Sequence, residues 1–388
     1  HLPYDRVALS RALTDTGVDL TLGGKSLWEQ EGITLVTGAR AVDIDIEAKE
    51  VLTAAGTRSG YDELVLATAP NAATLPIPGN EHTSVYRTLE DVWSINEKVA
   101  ALTARLGRTI PAVTIGGGLL GLGAAAGLQA LGANPVVIDG GKWLMGTQLD
   151  EGAGQAMGRL IADKGLQVHG GVFPAAVLTA AGAGGEALVT GVEMADGRII
   201  EADMVVVSIG VRPRDELART LNSRARAEAA AAAGKAAEEL GDEDFAPAFR
   251  MGARGGIVID ESCATDVEGI WAIGEVANFG GMCVGLVAPA NTMAEIVADR
   301  LHGGDACFAG FVTATKLKLS GVDVASFGDA FARTAGALEI VYADPARGVY
   351  QKLVLTDDAR TVLGGIFVGD AAPYTSLRPL LGRELPAE

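Results

Sequence analysis

Three glycines at a fixed spacing carry the clearest chemical signal in the sequence. Gly116, Gly118 and Gly121 follow a short apolar run, 111–115, and open an Ala-rich stretch with helical character. In a strand-turn-helix unit, the first glycine permits the tight turn and the second lets a pyrophosphate approach the backbone. The third glycine lets helix and strand pack closely. The free N–H groups at the helix start then attract phosphate. A purely structural glycine turn is the alternative.

The residues around these glycines complete a β-turn-α-β unit. Leu119 and Leu120 fall in the first turn of the predicted helix, and a second apolar run, 136–138, ends at Asp139. Asp139 lies 23 residues after Gly116, close to the spacing expected for a carboxylate that binds the adenosine ribose. The sequence therefore predicts a dinucleotide-binding unit.

The residues after Asp139 indicate which nicotinamide dinucleotide is preferred. A carboxylate accepts hydrogen bonds from ribose hydroxyls and repels a 2′-phosphate. Gly140, Gly141 and Lys142 follow it, without an arginine cluster, and Lys142 alone offsets part of that repulsion. We expect a preference for NADH over NADPH.

Three other predicted strands end in small or acidic residues. Ala67 and Thr68 end the run 61–68, and Gly210 follows the apolar run 204–209. Each turn would let the chain pass beneath a dinucleotide, although either turn taken alone is better explained as an ordinary strand-loop junction. Glu275 follows a glycine at the end of another apolar run. It is either a ligand for a flavin ribityl chain or a helix-capping acid.

Composition and charge exclude several other functions. The net charge of −18 disfavours nucleic acids and anionic membranes, and no apolar run reaches the roughly 18 residues typical of a spanning helix. The three cysteines, Cys263, Cys283 and Cys307, are too far apart for a CxxC metal or redox motif, and free thiols are typical of the cytoplasm. We expect no metal site and no catalytic nucleophile or proton donor, because no triad or serine elbow is present.

The rest of the chain is typical of an α/β protein. Thr88 to Leu106 has helical spacing, and 33–53 alternates like two strands around a turn. The segment 223–253 begins with Ala-rich low-complexity sequence, and we predict a surface helix or disordered insertion that is dispensable for folding. Residues 306–388 contain several strand-like runs and indicate a separate α+β domain.

Read in order, these motifs resemble those of the FAD/NAD(P)-dependent pyridine nucleotide oxidoreductases, and within them the flavoprotein region of the NAD(P)H nitrite reductase group. The segment TKLKLSGVDVASFGD (315–329) is the most discriminating. The other stretches that carry the resemblance are LPYDRVALS (2–10), VYRTLEDV (85–92), GGGLLGLGAA (116–125), LMGTQLD (144–150), GVRPRDELA (210–218), RGGIVID (254–260), WAIGEVAN (271–278), GLVAP (285–289) and LGGIFVGD (363–370).

The resemblance implies a domain organisation. Two interleaved Rossmann-like dinucleotide-binding domains would be followed by a C-terminal α+β interface domain at 306–388. The FAD domain would comprise 1–95 and 250–305, and the NAD(P) domain 96–249. The glycine-rich unit for FAD would lie before His1, and the family's iron-sulfur and siroheme segments would lie beyond Glu388.

Site residues follow from the same resemblance. Arg6 and Ser10 match a stretch that lines the flavin, Ala67 and Thr68 match the turn beside it, and Glu275 matches the acid on the ribityl chain. The NAD(P) site is matched by Gly116, Gly118, Leu119, Leu120, Gly121, Asp139 and Gly210. Two residues depart from the family pattern: Ala69 stands where a glycine is expected and Gly123 where a glutamate is expected.

The function implied is hydride transfer from NAD(P)H to FAD, followed by electron transfer to a downstream acceptor domain or redox protein. Nitrite reduction to ammonia, by siroheme and iron-sulfur clusters in the downstream part, is the expected destination. The alternatives are a stand-alone rubredoxin- or ferredoxin-type reductase and a non-catalytic nucleotide-binding module. We expect a cytoplasmic protein and a homodimer.

Overall fold

The computed structural model describes residues 1–15, 17–241, 245–311, 313–319 and 321–385. Its α-helices are α1 Leu9–Thr14, α2 Gly24–Trp28, α3 Leu89–Leu106, α4 Leu119–Ala130, α5 Glu151–Asp163, α6 Glu216–Ala233, α7 Val287–Leu301 and α8 Tyr374–Leu377. Its strands are β1 Ala41–Asp45, β2 Glu50–Thr53, β3 Arg58–Gly60, β4 Leu64–Leu66, β5 Pro70–Ala72, β6 Ser84–Val85, β7 Pro111–Ile115, β8 Asn134–Asp139, β9 Gln167–Gly170, β10 Pro174–Ala181, β11 Ala187–Met194, β12 Ile199–Glu201, β13 Met204–Val207, β14 Val211–Pro213, β15 Ile257–Val258, β16 Ile270–Ala272, β17 Ala277–Asn278, β18 Ala314–Leu319, β19 Val322–Gly328, β20 Leu338–Asp344, β21 Val349–Leu355 and β22 Val362–Val368.

The chain forms two compact units, each built from discontinuous segments. The first unit comprises His1–Pro3, Leu22–Asn71 and Val211–Phe311, and the second comprises Tyr4–Thr21, Ala72–Gly210 and Val312–Glu388. The α/β fold class is confirmed, with a Rossmann-like parallel sheet and a sheet-rich C-terminal region. The division into FAD, NAD(P) and interface domains stays a prediction.

A parallel sheet forms the centre of the second unit. Its strand order is β6-β13-β7-β8-β9. The central strands β7 and β13 are buried along nearly their whole length, as expected for strands covered on both faces. Helix α4 crosses from β7 to β8, and a Cβ atom on its Gly127 would overlap the side chain of Leu13. This small residue therefore lets α1 pack directly on α4.

Helix α3 begins and ends where its sequence predicts. Thr88 caps the N-terminus in a reciprocal capping box with Asp91, and Gly107 ends the helix in a left-handed conformation. The residues buried along it are Val92, Ile95, Val99 and Leu102. Their spacing of three and four residues makes one apolar face against the core of the second unit.

A buried lysine joins α5 to the C-terminal antiparallel sheet of the same unit, whose order is β18-β19-β22-β21-β20. The Lys352 side chain is 2% exposed, and its ammonium lies 2.6 Å from Asp150 and 3.1 Å from Glu339. Asp150 also caps α5 by accepting from the Ala153 N–H, and it accepts from the Tyr350 hydroxyl. Two carboxylates thus neutralise a charge that would be costly to bury alone.

The first unit is made of small sheets around an apolar core. It contains the antiparallel sheet β1-β2-β3 and the two-stranded sheets β14-β5, β15-β17 and β16-β4. Phe249 is among the largest fully buried side chains of its core. The Asn222 side chain holds the Phe249 backbone by accepting from its N–H at 2.9 Å and donating to its carbonyl at 2.7 Å.

These contacts revise the expectation for 223–253. Helix α6 starts at Glu216, before the predicted segment, and continues to Ala233. Residues 242–244 of this segment lie outside the described residues. Ala230, Leu240 and Phe249 are buried, so the segment contributes core side chains, and whether it is dispensable for folding stays a prediction. The sequence signal was misleading because alanine repeats conceal the few positions that face the core.

Candidate dinucleotide-binding sites

The turn after β7 has the geometry that its glycines predict. Gly116 has a φ of 120°, in the region that favours glycine, and a Cβ atom there would overlap the Ser208 carbonyl oxygen. A Cβ atom on Gly121 would overlap the carbonyl oxygen of Gly116. The turn therefore packs against the backbone that follows β13 at Gly116 and against the first turn of α4 at Gly121, which only glycine permits at these two positions.

Gly118 leaves the start of α4 open. It is the N-cap of the 12-residue helix, in an extended conformation, and no side chain caps the first turn. A Cβ atom on Gly118 would meet nothing within 4 Å. Leu119 and Leu120 pack against two different apolar clusters of the second unit and so fix the helix start. The arrangement offers backbone donors and a positive helix end to an anion.

Asp139 lies directly beside this turn. Strands β7 and β8 are parallel neighbours, with Ile115 opposite Ile138, and a Cβ atom on Gly117 would overlap the Asp139 carboxylate. The Gly141 N–H donates to Asp139 Oδ1 at 2.9 Å. Burial raises the pKa of Asp139, and the hydrogen bonds from the Gly141 and Gly117 backbones oppose that rise. The carboxylate is thus held at the strand end with acceptor capacity left for ribose hydroxyls.

Gly210 lies shortly after β13, the third strand that ends at this edge. Strand β13 is the other neighbour of β7, and the Ser208 N–H donates to the Ile115 carbonyl at 2.8 Å. The Gly210 carbonyl accepts from the Ala73 N–H at 3.0 Å, and a Cβ atom on Gly210 would meet nothing within 4 Å. The structure therefore brings Gly210, the glycine turn and Asp139 to one edge of the sheet.

A second edge lies in the first unit. Strands β4 and β16 run parallel, and the Ile273 N–H donates to the Leu66 carbonyl at 3.0 Å. Their carboxyl ends therefore place Ala67 and Thr68 beside the short 3-10 helix Gly274–Val276, which contains Glu275. The Thr68 hydroxyl donates to the Arg214 carbonyl at 2.6 Å.

Glu275 is positioned by a close backbone contact. A Cβ atom on Gly285 would lie 2.8 Å from Glu275 Oε1, so the carboxylate rests against this glycine, shortly before α7.

Ala69, in the turn after β4, has a φ of 57°. This left-handed conformation explains why a glycine suits the position better.

Arg6 and Ser10 belong to the second unit. The Arg6 guanidinium lies over the Tyr4 ring, 5.7 Å from its centroid, and Ser10 is exposed on α1. Their predicted flavin contact stays a prediction. Gly123 lies in α4, and a side chain there would meet nothing within 4 Å.

Sequence reasoning missed some residues at the nucleotide edge. Gly117 and Gly141 contact Asp139, and the ring of Phe173 contacts Gly140. The glycine runs were a usable signal for the first two, whereas a lone phenylalanine in GGVFP gave none.

Among the described residues, no group of three or more His, Cys, Asp or Glu side chains is arranged to hold a metal ion. The described helices also include none that is long and apolar enough to cross a membrane.

Comparison with known proteins identifies the family. Residues 1–296 match the family described as pyridine nucleotide-disulphide oxidoreductase. The chain belongs to this family. Residues 314–384 match the rubredoxin NAD+ reductase C-terminal domain. The family consists of NAD(P)H-dependent FAD oxidoreductases, which confirms the predicted enzyme class and its cofactors, FAD and NAD(P)H.

Individual relatives include nitrite reductases and ferredoxin reductases. The chain is 37% identical to the nitrite reductase (NADH) large subunit of Escherichia coli K12, over 98% of this chain and 41% of that protein. It therefore spans about two-fifths of this relative. It is 30% identical to the ferredoxin–NAD(+) reductase component of an anthranilate 1,2-dioxygenase system from Burkholderia cepacia, over 93% of this chain and 80% of that protein. A ferredoxin reductase structure from Rhodopseudomonas palustris matches with a TM-score of 0.78 and 26% identity, over 99% of this chain and 87% of that chain.

The glycine turn fits the nicotinamide dinucleotide on structural grounds. Side chains are excluded at Gly116, which packs on the Ser208 backbone, and at Gly121, which packs on Gly116, and the backbone is open where a pyrophosphate would approach, at Gly118. The edge of the first unit fits part of a flavin site, because it joins Thr68 and Glu275 at neighbouring strand ends.

Proposed function

We propose that the chain is a flavoprotein reductase module that transfers hydride from NADH to FAD and passes the electrons onward for nitrite reduction. The observation that carries the proposal is the open helix start at Gly118 beside the Asp139 carboxylate. Similarity to the nitrite reductase (NADH) large subunit of Escherichia coli supports nitrite as the final electron acceptor.

The residues of the second unit would bind and orient the nicotinamide dinucleotide. Gly116, Gly118 and Gly121 would cradle its pyrophosphate, with Leu119 and Leu120 fixing the helix start. Asp139 would bind the adenosine ribose and disfavour a 2′-phosphate, which supports a preference for NADH. Gly210 would line the same edge.

Residues of the predicted flavin site would hold FAD, which supplies the hydride-accepting and electron-passing chemistry when bound. We assign Ala67, Thr68 and Glu275 to this site. Arg6 and Ser10, which belong to the second unit, remain predicted flavin ligands. Their role is to bind and orient the cofactor, so no side chain is required as a nucleophile or proton donor.

A flavin-dependent NADH oxidation assay tests the proposal. The longer protein that contains this chain together with the expected glycine-rich FAD unit, supplied with FAD, is expected to oxidise NADH with ferricyanide as electron acceptor, with a higher kcat/KM for NADH than for NADPH. Gly118→Ala is expected to raise the KM for NADH because its Cβ enters the phosphate approach. NADH oxidation that does not depend on FAD, or an unchanged KM in this variant, contradicts the assignment.

A stand-alone reductase for a small iron-sulfur protein is the second candidate. It is supported by the similarity to the Burkholderia cepacia ferredoxin–NAD(+) reductase component, of which the chain covers 80%. Measuring electron transfer to purified ferredoxin or rubredoxin distinguishes the two candidate functions. Rapid reduction of either protein favours the second candidate, whereas reduction only of a siroheme-containing nitrite reductase domain favours the first.

We also propose a homodimer and a cytoplasmic location. Strand β20 is an edge of the C-terminal sheet, and Leu338, Ile340, Val341 and Tyr342 on it are each 43% to 57% exposed. An exposed apolar edge strand favours pairing with another chain. Light scattering is expected to give a dimer for the wild type and a monomer for Ile340→Lys. The cysteines are all free thiols, which supports a reducing compartment.

A further inference from the structure

Phe173 is an aromatic side chain left in solvent beside the nucleotide edge. It is 65% exposed, whereas the other eight phenylalanines are buried or half-buried. Leaving a large apolar ring in water is unfavourable, and aromatic residues are scarce in this chain at 5%. The exposed face of this ring is therefore available to a ligand that covers it.

The backbone around Phe173 holds the ring next to Asp139. Phe173 follows β9, and the Gly171 N–H between them donates to the carbonyls of Asp139 at 2.9 Å and Gly141 at 2.8 Å. The Phe173 carbonyl accepts from the Ala195 N–H at 2.9 Å. Both ends of this short connection are thus hydrogen-bonded within the second unit.

The ring lies against the backbone of Gly140, the residue directly after Asp139. A Cβ atom on Gly140 would lie 2.6 Å from Phe173 Cδ1 and closer still to Cε1. Because residue 140 has no side chain, the aromatic ring approaches the strand end where the carboxylate is held. The exposed ring and the carboxylate are therefore neighbours at one edge.

We propose that Phe173 stacks on the adenine ring of the bound nicotinamide dinucleotide. This inference rests on the proposed role of Asp139 as the ligand of the adenosine ribose. Adenine is attached to that ribose, so a ribose hydrogen-bonded to Asp139 brings the base to the neighbouring surface, which is the exposed ring of Phe173. An aromatic side chain and a purine both offer flat π faces, and their stacking adds affinity without requiring hydrogen bonds.

The proposal predicts that Phe173 contributes only to the binding of ligands that contain adenosine. Removing an aromatic platform for one base is expected to weaken binding roughly ten-fold to a hundred-fold. The loss falls on ligands that contain adenosine, such as NADH and ADP-ribose. Reduced nicotinamide mononucleotide lacks adenosine, so its binding is expected to stay unchanged.

Calorimetric titration of the purified chain with NADH, ADP-ribose and reduced nicotinamide mononucleotide tests the proposal. Phe173→Ala and Phe173→Leu are expected to weaken the binding of NADH and ADP-ribose and to leave the binding of reduced nicotinamide mononucleotide unchanged. Phe173→Trp is expected to retain the wild-type affinities for all three ligands. Leucine is the matched control, because it keeps an apolar side chain and removes the π face. Melting temperatures of all variants should match the wild type, since the ring is exposed.

Three outcomes overturn the inference. Wild-type NADH affinity in Phe173→Leu shows that stacking is not required, and equal losses for all three ligands show a disturbed fold. Failure of Phe173→Trp to retain affinity shows that the aromatic face is not what binds. Gly118→Ala, titrated in parallel, tests the proposed nucleotide site itself. If NADH binding is insensitive to Gly118→Ala as well, the site assignment has failed and not the stacking alone.

Discussion

The two candidate cofactor edges differ in how the sequence encodes them. The nucleotide edge of the second unit is largely contiguous: β7, the glycine turn, α4 and β8 run from Pro111 to Asp139. The edge of the first unit joins β4 to β16, where Leu64 pairs with Ile270 about 200 residues later. Both edges use the carboxyl ends of parallel strands, but only the first is formed mainly by neighbours in sequence.

This difference explains why the two edges differ in tolerance. The nucleotide turn is confined by backbone atoms, because a side chain on Gly116 or Gly121 would overlap a carbonyl oxygen. The first unit instead accommodates Ala69 in a left-handed conformation with a φ of 57°. Close backbone contacts restrict residue type tightly at Gly116 and Gly121, whereas the turn after β4 accepts an alanine with a positive φ.

The largest expected effect is at the glycine turn. Gly116→Ala forces a left-handed conformation on alanine and drives its Cβ into the Ser208 carbonyl. We expect a loss of roughly 2–6 kcal/mol in the free energy of unfolding, the sum of strain and overpacking, together with loss of NADH binding. Chemical denaturation measures the first and calorimetry the second.

Gly118→Ala is the control for this comparison, since its Cβ meets nothing within 4 Å. It should unfold like the wild type while binding NADH more weakly. Equal destabilisation by the two substitutions would show that the backbone contacts at Gly116 do not define the turn.

The next effect concerns the apolar core of the first unit, which carries the second edge. Phe249→Ala removes one of the largest fully buried side chains, and we expect a loss of roughly 3–5 kcal/mol in the free energy of unfolding. Glu228→Ala, an exposed position on α6, should change stability little. Denaturant titration of both variants checks this, and near-wild-type stability of Phe249→Ala would restore the view that 223–253 is dispensable.

A smaller effect is expected at Asp139, and it depends on pH. Burial raises the pKa of this carboxyl, so its ionised form, which binds the ribose, is lost as pH falls through that raised pKa. Asp139→Ala should weaken NADH binding about ten-fold or more, as expected for hydrogen bonds to a charged group. It should also reduce the difference in affinity between NADH and NADPH.

The measurement is NADH affinity as a function of pH for the wild type and Asp139→Ala. Affinity should fall towards low pH in the wild type and be flatter in the variant. The stability contribution has the opposite sign: a raised pKa in the folded state means that this group destabilises the fold as pH rises through it. A wild-type affinity that increases on acidification would refute the assignment.

The smallest effect is a gain at the second edge. Ala69→Gly relieves the left-handed conformation at a cost in chain entropy, so the net stabilisation is expected to be about 1 kcal/mol or less. Ala67→Gly, two residues earlier and without a positive φ, should give no gain. Thermal melting of the two variants side by side decides the point, and a lower melting temperature for Ala69→Gly would show that the alanine is not strained.

The sequence by itself determined the β7-α4-β8 unit of the nucleotide edge, because the physical requirements of this unit are local. The strand, the glycine spacing, the helix start and the acid at the next strand end lie within 29 residues, from Pro111 to Asp139. The helical spacing of Thr88 to Leu106 is local in the same sense, and it predicted α3 correctly. Local hydrogen bonds and side-chain periodicity are sufficient to specify such elements.

Only the tertiary structure decided which distant residues meet. The carbonyl of Ser208 limits residue 116, Asn222 holds the backbone of Phe249, and the ring of Phe173 reaches Gly140. None of these pairs shares a periodic pattern or a motif, because they are brought together by strand order and core packing. A lone phenylalanine or an Ala-rich helix looks the same in sequence whether it faces solvent, a core or a ligand, and only the folded chain distinguishes them.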